Sequence, residues 1–232
     1  MIEDRLSPLR PSYASTREAL RAVACYVVAP ARRARTGRIG LRPFAGGVAT
    51  PPLPDGSRLA VDGDELVWIP GERHRLTTIA AAAAWVGVEL TADPGVGREL
   101  PPFEPDATLA VDPSASRALG AWYAFGQRVL EALPAGEAEL GEAQLWPEHF
   151  DLALVAQPSR GGPVNLGCSP GDGYLDQPYV YVGPHDRTGL DGGFWNAPFG
   201  AVLGHDQLLA DADPHARAVR FLVTGLTLVA RG

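Results

Sequence analysis

The 232-residue chain contains no lysine; all 20 of its basic residues are arginine. No Schiff base can form on a side-chain amine, and no P-loop lysine can reach a nucleotide phosphate. Pyridoxal-phosphate chemistry and Walker-type ATP hydrolysis are therefore excluded. Cysteine is nearly as scarce. Cys25 and Cys168 are the only two, and neither stands in a C-x-x-C. They read as two buried thiols in a reduced, cytoplasmic protein. The charged segment from Met1 to Arg10 lacks the apolar stretch of a signal peptide. Long hydrophobic runs are missing too: the longest, Thr78 to Leu90, is alanine-rich and far shorter than a membrane span. Positive charge is in deficit, with a net charge of -7 and an isoelectric point near 5.2. A nucleic-acid footprint would be basic. Neither a nucleic-acid nor a membrane partner is expected.

What is present is ordinary globular composition, 46% hydrophobic and 20% charged. A chain of this length buries about 70% of its unfolded surface and needs no staples. Ser15 to Arg35 has apolar residues at helical spacing, with Ser15 or Thr16 as cap and Pro30 ending or kinking the helix. Arg38 to Phe44 alternates as a strand, and Val48 to Thr50 returns. Arg58 to Val61 and Glu65 to Ile69 flank an Asp-Gly and predict a hairpin. Arg73 to Thr77 adds a strand, and Ile79 to Val86 a short helix.

Thr91 to Asp112, rich in proline, glycine and acid, reads as a connection. The expected organisation is thus an α+β half over 1–95, a connection over 96–113 and a second α+β half over 114–232, or one continuous domain. The second half opens with a helix from Ser114 or Ser116 to Leu133 and a loop over Pro134 to Glu142. Phe150 to Ala156 is its strongest strand. Val164 to Leu166 and Tyr179 to Val182 are further strands, separated by a Gly/Asp-rich loop over Cys168 to Gln177. A final helix covers Ala212 to Ala230, capped by Asp211 or Asp213. Both halves run helix, short strands, helix. A duplicated α-β-β-β-α unit would make one antiparallel sheet with helices on one face; chance alternation in an α+β protein gives the same order.

Three segments carry chemistry. In Trp146-Pro147-Glu148-His149-Phe150-Asp151, a strand starting near Glu148 would put His149 and Asp151 on one face. The carboxylate would then orient the imidazole as a general base; a structural hydrogen bond at a strand start uses the same residues. In Gly167-Cys168-Ser169-Pro170-Gly171 there is a formal G-x-S-x-G. Pro170, however, has no N–H for an oxyanion hole, and no helix follows. Asp172, between two glycines, presents its carboxylate from a turn or simply caps it. Tyr179 and Tyr181 share a strand face and, with Trp195 and Asn196, would line a pocket or pack as an aromatic edge. The five histidines match no zinc pattern. A metal on His149, Asp151 and a third ligand such as Asp172 or His205 is compatible with the chain, which by itself assigns no metal and no cofactor. Arg38, Arg42, Arg58, Arg73 and Arg75 form either an anion patch or a solvated face.

These segments, L-W-P-E-H-F-D-L-A, G-C-S-P-G-D, P-Y-V-Y-V-G-P and F-W-N-A in that order, resemble an uncharacterised protein family of high-GC actinobacteria. They are distantly similar to a domain-of-unknown-function family, DUF5996. The resemblance also covers Leu41 to Pro43 and Thr50 to Pro52, hence most of the chain. It implies that Trp146 to Asp151, Ser169 to Asp172 and Tyr179 to Tyr181 belong together, and it implies no activity. The expected function is small-molecule binding in a polar pocket. An enzymatic version uses His149 as base, Asp151 as its orienter and Tyr179 or Tyr181 as donor. Trp146, Glu148, Ser169, Asp172, Trp195 and Asn196 would line the ligand. The alternative is a non-catalytic structural or interaction module in which the same residues form a scaffold.

Overall fold

The computed structural model describes residues 6–134, 136, 138–190 and 192–231. Residues 1–5, and single positions in the loops expected over 134–142 and 184–193, lie outside the described residues. The chain is α+β and divides into two compact units, each with its own antiparallel sheet. The N-terminal unit is Leu9–Ala124 with Leu145–Phe150. The C-terminal unit comprises Phe125–Gln144 and Asp151–Gly232 with the described part of Met1–Pro8. The 96–113 connection lies inside the N-terminal unit. No helix among the described residues is long and apolar enough to cross a membrane.

The N-terminal unit opens with α1 (Tyr13–Val23), a π turn (Ala24–Val28) and α2 (Ala29–Thr36). The helix starts at Tyr13, two residues before the expected serine cap, and Ser12 supplies no side-chain cap bond. Pro30 neither ends nor interrupts it. The proline sits at the start of α2, where its missing N–H is tolerated. Just before it the ladder widens, and Ala29 N–H reaches back to Ala24 O. Strands β1 (Arg42–Phe44), β2 (Gly47–Ala49), β3 (Arg58–Asp62), β4 (Glu65–Ile69) and β5 (Arg73–Arg75) pair in chain order. The Asp-Gly hairpin forms as its sequence predicts, with Asp62 opposite Glu65 and Gly63 at φ 72. Helix α3 (Ile79–Val86) is capped by Thr78, whose hydroxyl accepts from Ala81 N–H at 3.1 Å. Within the expected arginine group, Arg73 pairs with Glu65 and Asp62, and Arg75 with Asp64.

Helix α4 (Pro113–Glu131) contains the division between the units. Its cap is Asp112 rather than a serine: Asp112 Oδ1 accepts from Ser114 N–H at 2.8 Å, with Pro113 as the first helical residue. Ser116 instead bonds Gly46 O at 2.5 Å.

The C-terminal sheet follows in the order β11-β10-β9-β8-β6. Its strands are β6 (Ala138–Leu140), β8 (Asp151–Pro158), β9 (Val164–Ser169), β10 (Tyr179–Pro184) and β11 (Ala201–Gly204); β7 (Gln144–Trp146) lies between β6 and β8 in the chain. Two expectations are corrected here. The loop over 134–142 contains β6, and the loop expected from Cys168 begins only after Ser169. The strands also form two sheets, not one continuous sheet. Short α5 (His205–Leu209) precedes α6 (Pro214–Arg231), which Asp213 caps through Ala216 N–H at 2.9 Å.

Paired residues share a face, so the register sorts this sheet into two surfaces. Leu152, Leu154, Leu166, Cys168, Val180, Val182 and Leu203 make one, all buried. Helix α6 lies against β8, β10 and β11, burying Ala218, Leu222, Gly225 and Leu226 on a helical stripe. At Gly126 the last turns of α4 come so close that an added Cβ would meet Cys168 Sγ at 2.8 Å. Cys168 is thus a small core residue. The other surface holds Tyr179, Tyr181, Gly167 and Ser169.

Replacing Leu222 by alanine empties a fully buried site and should cost about 2–5 kcal/mol in urea unfolding. A loss under about 1 kcal/mol would show that α6 is not clamped to the sheet through this residue.

Candidate functional site

The polar face of the C-terminal sheet is organised around a missing side chain. Gly167 on β9 sits directly opposite Tyr181 on β10. The tyrosine ring lies across it, and a Cβ built on Gly167 would fall 2.6 Å from ring atoms. Any other residue would lift the ring off the sheet. Lying flat, Tyr181 crosses β9 and donates its hydroxyl to Asp151 Oδ2 on β8. Asp151 is only 8% exposed, so this donor offsets part of the cost of burying a carboxylate.

One step along β10, Tyr179 makes a parallel arrangement. Its hydroxyl donates to Asp172 Oδ2 at 2.5 Å. The other carboxylate oxygen, Asp172 Oδ1, accepts from the N–H groups of Tyr174 and Leu175 at 2.9 and 3.1 Å. Asp172 therefore both closes its turn and presents charge to a phenol. Ser169 ends β9 with its Oγ accepting from Gly171 N–H at 3.1 Å. No helix follows Ser169, and the formal G-x-S-x-G is not a nucleophile elbow.

Both phenols are held in the protonated form. Burial, and then the adjacent Asp151 charge, pushes Tyr181 well above its ordinary value. Burial, and then the hydrogen bond to Asp172, raises Tyr179. Burial likewise raises both thiols, Cys25 to about 12, so neither is a ready nucleophile.

Two aromatic residues that sequence reasoning did not single out complete the surface. Tyr174 packs edge-on against Phe199 at 5.1 Å between centroids. Phe199 lies 6.3 Å from both Tyr179 and Tyr181, which are 6.1 Å from each other. Tyr174 is 46% exposed and forms the open rim. The available signal was its place two residues after Asp172, in the reach of an Asx turn. Phe199 gave none: it lies in a turn just before β11, a strand that was not expected.

The other expected residues are placed differently. His149 and Asp151 do not share a strand face. Residues 147–150 form a turn, β8 begins only at Asp151, and Phe150 between them has φ 55, so the period of two does not reach His149. Its side chain is 55% exposed, with Nδ1 3.8 Å from Glu99 Oε2. A base oriented by Asp151 through a common strand face is therefore not formed. Glu148 packs over Gly97, and its carbonyl accepts from Arg21 Nε at 2.8 Å. Trp146 ends β7, half-buried. These three lie in the N-terminal unit. The turn that carries them is fixed there by Cys25 Sγ on Pro147 O and by the Tyr123 hydroxyl on Phe150 O. Asn196, in the C-terminal unit, uses its side-chain amide as a mock strand: it donates to Val202 O at 3.0 Å and accepts from Val202 N–H at 2.8 Å. Trp195 packs edge-on against Phe194 at 4.9 Å, outside the ring contacts that join Tyr174, Tyr179, Tyr181 and Phe199. Among the described residues no cluster of three or more His, Cys, Asp or Glu is arranged to hold a metal ion.

No protein-family model matches this chain, and neither a curated protein nor a solved structure matches it.

Tyr181→Phe removes the phenol that serves Asp151 and should cost about 1.5–3 kcal/mol in urea unfolding. An unchanged midpoint would show that the contact contributes nothing. Raised phenol pKa values also set a pH sign. An acid whose folded-state pKa exceeds its unfolded value of about 10 contributes stability below that pH and loses it above. Unfolding midpoints should therefore fall as pH rises past about 10, less steeply in Tyr181→Phe than in the wild type. Equal slopes would contradict the assignment.

Proposed function

We propose that the C-terminal unit binds a small molecule on the aromatic face of its sheet. One observation carries this reading: two phenol–carboxylate pairs, Tyr179–Asp172 and Tyr181–Asp151, lie side by side beneath a partly open aromatic rim. Aromatic walls with a few placed polar groups are the usual make-up of ligand sites. Tyr181 and Asp151 make the rigid floor. Tyr174, Phe199 and Asp172 make the part a ligand reaches. The likeness to an uncharacterised actinobacterial family, DUF5996-like, supplies no activity, so the reading stands on geometry. His149 has no place in it, because its imidazole is turned toward Glu99 on the N-terminal unit.

A second reading is favoured by the depth of Asp151: the Tyr181–Asp151 pair is a structural lock and the aromatic cluster is its cover. Thermal-shift screening of a small-metabolite library against the full chain separates the two. Binding to the native state raises Tm in step with ligand concentration. At least one compound should do so with the wild type and lose most of its shift with Tyr174→Leu, which alters an exposed ring and spares the fold. A library that produces no shift, or shifts indifferent to Tyr174→Leu, rejects binding at this face in favour of the lock.

A further inference from the structure

The hydrogen-bond inventory of the aromatic face narrows what it can accept. Tyr179 and Tyr181 have already given their protons to Asp172 and Asp151, and the Tyr174 hydroxyl donates to Asn196 O at 3.4 Å. The Asn196 amide is spent on Val202, and the His185 ring is engaged with Asn165 Oδ1 at 3.0 Å. An anion or a carbonyl needs donors, and these donors are committed. What the face leaves to a ligand at its rim is negative: the Asp172 carboxylate and the rings of Tyr174 and Phe199, with Asp151 buried in the floor. A phenol that donates to a carboxylate gains partial phenolate character, which deepens the negative potential over its ring and strengthens attraction for a cation. Among the described residues no guanidinium lies over Tyr174, Tyr179, Tyr181 or Phe199, whereas Arg35 lies 5.0 Å above the Trp68 ring in the N-terminal unit. The chain has used cation–π contact elsewhere and left these rings uncovered.

Net charge points the same way. Among the described residues the C-terminal unit holds 10 acidic residues against 6 arginines. The N-terminal unit is balanced. A one-signed field around a partly buried face raises the local concentration of the opposite charge.

Resting on the binding reading above, we infer that the ligand of this face is a small organic cation, an ammonium or guanidinium compound held over Tyr174 and Phe199 beside the Tyr179–Asp172 pair. The test is amide NMR on the full chain titrated with choline, agmatine and dimethylbutanol, the neutral carbon isostere of choline. Choline or agmatine should shift resonances of residues 170–176 and saturate, and the isostere should bind about fivefold more weakly or worse. Tyr174→Leu and Asp172→Asn should each weaken the cation by about fivefold; the asparagine keeps the oxygen that closes the turn. Raising the salt concentration should weaken it further. Should neither cation saturate while a neutral or anionic library compound binds at these residues, the cation assignment falls and the binding reading survives. Should nothing bind there at all, both fall.

Discussion

A tyrosine ring lying flat on a glycine is the constraint on which the polar half of the C-terminal sheet depends. Tyr181 can reach Asp151 two strands away only because Gly167 leaves its own place on the pleat empty. With the ring flat, Tyr179 beside it is free to reach outward to Asp172, and Phe199 packs against both. The carboxylate gains a donor in a place where water is scarce, and the phenol gains an acceptor that keeps its proton in place. Removing any one of ring, gap or carboxylate would leave the other two without a reason for their positions.

The division of labour between the two sheet faces makes this arrangement tolerable. One face buries Leu152, Leu154, Leu166, Val180 and Val182 beneath helices and supplies the apolar burial that stabilises the unit. The opposite face is then free to hold charge and aromatic edges at some cost in stability. Exposed Val155 and Tyr174 on or beside that face are consistent with a surface kept open at its rim. Excess acid on the same unit adds self-repulsion, which a bound cation would relieve.

Local signals read well where a short segment decides its own structure. The Asp62-Gly63 hairpin, the short helix α3 and the Asp213-capped α6 need only turn chemistry, a cap and a periodic stripe, and each formed as read. Asp172 closing a glycine-flanked turn is of the same kind. Strands β6 and β11 were missed because three or four residues of weak alternation, such as Ala138–Leu140, become strands only by pairing with a neighbour already in place. Pro30 misled for the converse reason: the π turn before it absorbed a residue that local rules treat as a stop. The His149–Asp151 pairing failed at one residue, since Phe150 in the left-handed region shifts the strand start past His149.

From the sequence alone came the α+β class, the excluded lysine chemistries and the acidic balance. All of these follow from composition or from residues a few positions apart. Which phenol serves which carboxylate, that Gly167 must be bare, that Tyr174 and Phe199 join them and that His149 does not, were decided by tertiary structure. Register across three strands sets those distances, and register is a property of pairing partners far apart in the chain.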